Sequence, residues 1–244
     1  MIHRCGCRVE PARPAASSRN FIPRRNFLIS ALAGAAATAL PRFACASAAI
    51  VVPTSTANRR FNVFYAGERI GAHRITYSAA TGETRISTEI DLAVKALFFT
   101  VFVYSHRSEE IWRDGRLMSL SSQTVERGET IDVAGAATPR GFRVVSKGGP
   151  FIASAATLTS NSLWTPAVLG QVTVVDAQHG GIFGVSARRI GDEQIVVGGR
   201  SVRATRHSFI TPYLAGSIWY DEENLWVRGD FERDGSKILY RLDA

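Results

Sequence analysis

Four histidines, His73, His106, His179 and His207, follow residue 48, and imidazole is the side chain best suited to acid–base or metal chemistry near neutral pH. None falls in an HxH or HExxH spacing that would place two on one face, so no metal site is expected. His106 and Glu110 share one strand face at even spacing, and Asp221-Glu222-Glu223 clusters acids beside Trp219-Tyr220. Were His106, His207, Glu110 and Asp221 to meet in one pocket, they would supply the acid and base of a hydrolase or isomerase. The plainer expectation is a solvated strand face and a polar hairpin turn. Gly184-Val185-Ser186-Ala187-Arg188 begins like a G-x-S-x-G elbow, but Arg188 replaces the last glycine and no helix follows. There is no Walker loop, GxGxxG after a strand, EF-hand or CxxCH, so no cofactor is expected.

Binding chemistry has a clearer source. Leu97-Phe98-Phe99-Thr100-Val101-Phe102-Val103-Tyr104 is apolar on both faces of a strand, with Phe98, Phe102 and Tyr104 on one side. Such a strand should be covered on both sides, either as an ordinary central strand or as one wall of a cavity for an acyl chain or other lipophile. Trp112, Trp164, Trp219 and Trp226 suit a cavity mouth or a partner surface, although tryptophans in a β-rich domain more often pack the core. The candidate ligand-binding set is therefore Phe98, Phe102, Tyr104, Trp112, Trp164 and Trp219.

The elements that must hold these residues are strands. Almost every segment after residue 60 alternates apolar and polar positions and ends at Gly, Asp or Pro. In Arg85 to Val94, for example, Ile86, Thr88, Ile90, Leu92 and Val94 share one face and Arg85, Ser87, Glu89 and Asp91 the other. Asp114-Gly115 and Asp234-Gly235 sit between alternating runs, where tight hairpins require left-handed dihedrals. The pattern predicts an all-β domain: a strongly curved or nearly closed antiparallel up-and-down sheet, a half-barrel, with a two-sheet sandwich as the alternative. Thr159 to Leu169 reads as a structured loop carrying Trp164, because Pro166 interrupts any helix early.

Residues 1–48 read as a twin-arginine signal peptide. Arg24-Arg25 is followed by Phe27-Leu28 and by an apolar stretch to Leu40 that is too short to span a membrane stably. Small-x-small sites at Ala44-Cys45-Ala46 and Ala46-Ser47-Ala48 follow, and cleavage is placed after Ala48. Arg42 occupies the position where acylation of Cys45 would need a Leu-like residue. The leader thus predicts engagement of the Tat export machinery through Arg24 and Arg25, a periplasmic or otherwise exported location, and no stable transmembrane anchor. Residues 49–59 form a short extension, and 60–244 a single β-rich domain.

The leader also explains the composition. The chain's pI is about 9.9, yet residues 1–48 hold seven arginines and a single acid, leaving 22 basic and 20 acidic residues beyond them. That near-neutral remainder does not supply the phosphate neutralisation of a nucleic-acid binder. Cys5, Cys7 and Cys45 all lie in the leader, so the mature domain has no disulfide or thiolate chemistry.

Phe61-x-Val63-x-Tyr65-x-Gly67-x-x-Ile70-Gly71, Glu110-x-Trp112-x-x-Gly115-Arg116-Leu117, Trp219-Tyr220-Asp221 and Asp234-Gly235-Ser236 together resemble an uncharacterised bacterial family of exported domains of unknown function. That resemblance implies fold and location and brings no catalytic set. Ile218 to Leu242 is also loosely similar to periplasmic lipoprotein carriers of the LolA type, whose curved sheet holds acyl chains; the helices covering that sheet are not evident here. The leading expectation is a non-enzymatic exported domain that binds a lipophilic ligand or an envelope partner. A hydrolase or isomerase with a dispersed site, and a structural or assembly subunit of the envelope, are the alternatives.

Overall fold

The computed structural model describes residues 50, 52, 58–96 and 99–243, with side chains described outside 95–101. The leader and Phe98 lie outside the described residues. Fifteen strands follow one another: β1 (Arg59–Tyr65), β2 (Glu68–Ala80), β3 (Glu83–Ala96), β4 (Phe99–Arg113), β5 (Arg116–Glu126), β6 (Glu129–Thr138), β7 (Gly141–Val145) and β8 (Phe151–Ala153), then β9 (Thr173–Val175), β10 (Ile182–Gly184), β11 (Ser186–Val197), β12 (Arg200–Ile210), β13 (Ala215–Asp221), β14 (Trp226–Arg233) and β15 (Ser236–Leu242). Two 3₁₀ turns, Ser162–Trp164 and Pro166–Gly170, stand between β8 and β9. Thr165 caps the second by accepting from the Ala167 amide, and Pro166 occupies its first position, where a missing N–H costs nothing.

Thirteen strands form one antiparallel sheet in the order β11-β12-β13-β14-β15-β1-β2-β3-β4-β5-β6-β7-β8, and β9 pairs with β10 apart from it. The first and last strands pair with each other in the middle of the sheet. Apart from that β15–β1 pair, each neighbour is joined by a hairpin or short loop, as alternation and turn chemistry predict. Asp114 and Gly115 adopt φ of 49° and 70°, and Asp234 and Gly235 φ of 51° and 74°, the left-handed pairs of two-residue hairpins. The sheet is not closed, because β8 and β11 are free edges. It is the curved half-barrel of the sequence reading; β8 is a strand that alternation did not mark, and residues 183–197 form a short β10 and one long β11 with a register shift near Arg189.

The chain between the two edges, 154–185, covers the concave face. Its Leu158, Trp164, Val168, Val174, Val175 and Ala177 are buried in the same cluster as Phe61, Ile75, Tyr77, Ile86, Trp112 and Tyr220 from the sheet. Trp164 stands edge-on to Trp112 at 5.3 Å and to Tyr77 at 6.3 Å between ring centroids. The opposite face carries cross-strand ion pairs, Arg74–Glu89 and Arg85–Glu109 at 2.5 Å and Arg107–Asp91 at 2.7 Å, all solvent-exposed and each worth little. Trp164 is the side chain that seats this internal plug. Replacing it with alanine is expected to cost about 3–5 kcal/mol in urea unfolding; a loss well under 1 kcal/mol would show that the plug contributes nothing to the fold.

Candidate functional site

Alternation along β4 places Tyr104, His106, Ser108, Glu110 and Trp112 in one buried column on the concave face. The solvated-face expectation for His106 and Glu110 is overturned: they are 0% and 1% exposed. The physical reason is the plug, which supplies polar partners from about fifty residues away. The Asn161 amide nitrogen donates to His106 Nε2 at 3.0 Å and to Ser108 Oγ at 2.8 Å. With Nε2 accepting, the ring carries its proton on Nδ1, which lies 2.8 Å from Thr124 Oγ1. Burial pushes the His106 pKa down to about 4, so the imidazole is neutral. Glu110 accepts from Thr159 Oγ1 at 2.5 Å and from Trp112 Nε1 at 2.9 Å. No cation pairs with it among the described residues, and burial raises its pKa.

Register sets His73 in the same row of the sheet as His106, with Ile90 between them and Thr124 beyond. It is 3% exposed, and neither ring nitrogen has a hydrogen-bond partner among the described residues. Phe61, Trp226 and Tyr240 surround it at 6.2, 5.5 and 5.9 Å between centroids. Burial first, and His106 second, push its pKa down to about 3.

The other acid–base candidates do not join this network. His207 lies on β12, half-buried, 6.2 Å from the Tyr220 ring. Asp221 accepts from the Glu223 and Leu225 amides at 3.0 and 2.9 Å and pairs with Arg59 at 3.6 Å, which makes it the organiser of the β13–β14 turn. No hydrogen bond or ion pair links either residue to His106 or Glu110 among the described residues. Of the candidate ligand-binding residues, Trp112 and Trp164 pack on each other, and Trp219 is buried on the other face of the sheet with Ile195, Ala204 and Val227. Tyr104 donates to Gln178 Oε1 at 2.6 Å, and its ring stacks on half-buried Phe102 at 6.5 Å.

Two features escaped the sequence reading. His179 is bracketed by Asp176 and Glu126, each at 3.2 Å, and the Asp176 contact raises its pKa to about 9 despite partial burial. The Asp-x-x-His spacing was the only local signal. The second is a cleft of about 530 Å³ at the strand ends, lined by residues that include Tyr65, Arg69, Ile70, Gly71, Ala93 and Val94. Val94 lies opposite Phe102 in the β3–β4 ladder and Ala93 opposite Val103, which is 56% exposed. The expected cover on both faces of this strand is thus missing at Val103, because the plug shields only the concave side. Register shifts at Val63/Phe64 and Val94/Lys95 flank the cleft.

Residues 61–243 match the family model of DUF6134, a domain of unknown function. In fold the chain is similar to the beta-barrel-like protein of domain of unknown function DUF1849 from Brucella abortus, known from a crystal structure: TM-score 0.53, 7% identity, 76% of this chain and 94% of that chain covered. No curated protein matches the sequence.

The buried imidazoles tie stability to pH. Unfolded, His73 and His106 take up protons below about pH 6.5, whereas folded they resist to about 3 and 4. Stability therefore falls as pH drops through that window. Glu110, with its raised pKa, acts in the opposite direction, so the comparison that isolates His73 is between the wild type and H73L. The variant is expected to lose on the order of 1–2 kcal/mol less at pH 5 than the wild type does, relative to pH 7.5; parallel pH profiles would refute the burial argument. His179, raised to about 9, adds stability that is complete below about pH 6.5 and disappears as pH rises through 9.

Proposed function

We propose that this chain, which belongs to the DUF6134 family, is an exported periplasmic binding domain that holds a lipophilic ligand at the open strand ends of its half-barrel. The observation that carries the reading is the cleft beside Val94 and Phe102. Its size lies within the range of about 300–1,000 Å³ typical of small-ligand sites. Ile70, Ala93, Val94, Phe102 and Val103 bring apolar surface to both sides of one rim. The concave face is occupied by residues 154–185, which leaves the rim as the place for a ligand. Arg69 and Glu68 also line the cleft, so an amphiphile would find polar groups beside the apolar ones. Export rests on Arg24-Arg25, the apolar stretch after them and the small-residue cleavage site.

Two measurements test this. In a Tat-competent host the full chain with R24K and R25K is expected to stay unprocessed in the cytoplasm, while the wild type yields a periplasmic protein beginning at Ala49. Undiminished export of the variant would overturn the route. The periplasmic domain is expected to carry lipophilic mass in native mass spectrometry and to bind a dansyl-labelled fatty acid. Val103→Glu, at an exposed position, places a charge at the apolar rim and should weaken that binding about tenfold with the fold retained. A domain that carries no lipophile and does not bind the probe overturns the ligand reading.

A further inference from the structure

We infer that the convex face bears a separate binding site for a phosphate- or carboxylate-type oxyanion, built around the Arg206 guanidinium. The strand register puts Trp219 directly between Arg206 on β12 and Arg228 on β14. Both guanidinium carbons lie over the indole, at 5.1 and 4.7 Å from its centre. These side chains line a cleft of about 490 Å³ together with Glu193, Gln194 and Asp230.

The charges in the cleft are unevenly matched. Asp230 is shared by two cations, accepting from Arg228 Nε and Nη2 at 3.1 and 2.5 Å and from Arg241 Nη1 at 2.5 Å. Glu193 accepts the Trp219 indole N–H. Arg206 donates through Nε to Ser217 Oγ at 3.0 Å, and no carboxylate lies within ion-pair distance of it among the described residues. Within the cleft Arg206 and Arg228 face Glu193 and Asp230, and Asp230 is already engaged by Arg228 and by Arg241 beside the cleft. Arg206 is half-buried, held over an aromatic ring and oriented by a hydroxyl, which leaves its two terminal amino groups without a carboxylate partner among the described residues.

That is the arrangement in which a guanidinium recognises an oxyanion: the planar fork is pre-oriented, so little freedom is lost on binding, and the anion offsets a charge already partly removed from water. A soluble phosphate and an anionic lipid headgroup present the same chemistry to Arg206. The site shares no residue with the rim cleft, so the two proposals fail independently.

The test uses the mature domain in low-salt buffer, with inorganic phosphate titrated by calorimetry and with sedimentation on phosphatidylglycerol or phosphatidylcholine vesicles. Binding of phosphate, or of phosphatidylglycerol but not phosphatidylcholine, is expected, and the arm that responds identifies the source. R206Q should reduce that binding at least tenfold and R206K by less, while R85Q, on β3, leaves it unchanged and R206Q still takes up the dansyl-labelled fatty acid. Should R206Q fail to fold, S217A removes only the partner of Nε and should weaken binding a few-fold. Absence of binding in every arm, equal binding to both vesicles, or wild-type affinity in the folded Arg206 variant or in S217A overturns the site.

Discussion

A single antiparallel sheet that curves has a concave face which must be kept from water, and in this fold the chain's own residues 154–185 do so. Apolar burial alone would leave that cover free to slide, since it has little regular secondary structure of its own. Its backbone groups instead find specific partners: Ser160 N–H on the Val175 carbonyl at 2.8 Å, Val175 N–H on Leu158 at 2.9 Å, and the Leu163 and Ala177 carbonyls on the Tyr220 and Ser122 hydroxyls at 3.0 and 2.5 Å. An unpaired buried peptide group costs about as much as a lost hydrogen bond, so these contacts define one seating of the plug.

The side chains extend that logic. Asn161 can satisfy His106 and Ser108 together only if the plug sits at one height along β4, and Thr159 meets Glu110 two positions further on. The resulting polar column is kept short of charge. His73 and His106 are held neutral, and Glu110 is shifted toward its protonated form, because an ion buried there would have no counter-ion. Fixed charges appear instead on the convex face, where Arg74, Arg85 and Arg107 pair with acids on neighbouring strands, and at the plug's end, where His179 is held between Asp176 and Glu126.

How much of this was readable follows from the range of the interactions. Alternation over two residues and Asp-Gly turns are local, and they yielded the strands, the hairpins and the curved sheet. The same rule misjudged His106 and Glu110, since a polar residue at an even position looks solvated until its partner is known, and Asn161 and Thr159 lie 55 and 49 residues away. Trp219 posed the mirror problem. Its position on the convex side is set by alternation, but its burial depends on Ala204 and Val227 from the neighbouring strands and on Ile195 from β11 beyond. The rim cleft arises where two ladders lose register, and a bulge leaves no clear mark in a sequence of apolar residues.

That loss of register coincides with the rim cleft. The row Val63, Gly71, Leu92 and Tyr104 crosses β1, β2, β3 and β4 just short of the strand ends. Beyond that row the pairing shifts at Val63/Phe64 and Val94/Lys95, and Gly71 lets β2 approach β3 so closely that an added Cβ would meet the Asp91 carbonyl at 1.9 Å. Close approach at Gly71 thus sits beside shifted pairing in the β1–β2 and β3–β4 ladders. The cleft includes Gly71 and Val94 in its lining, while the plug keeps the deeper interior filled. A sheet whose concavity is occupied by its own chain is thus left with its strand ends and its convex face as the surfaces open to solvent.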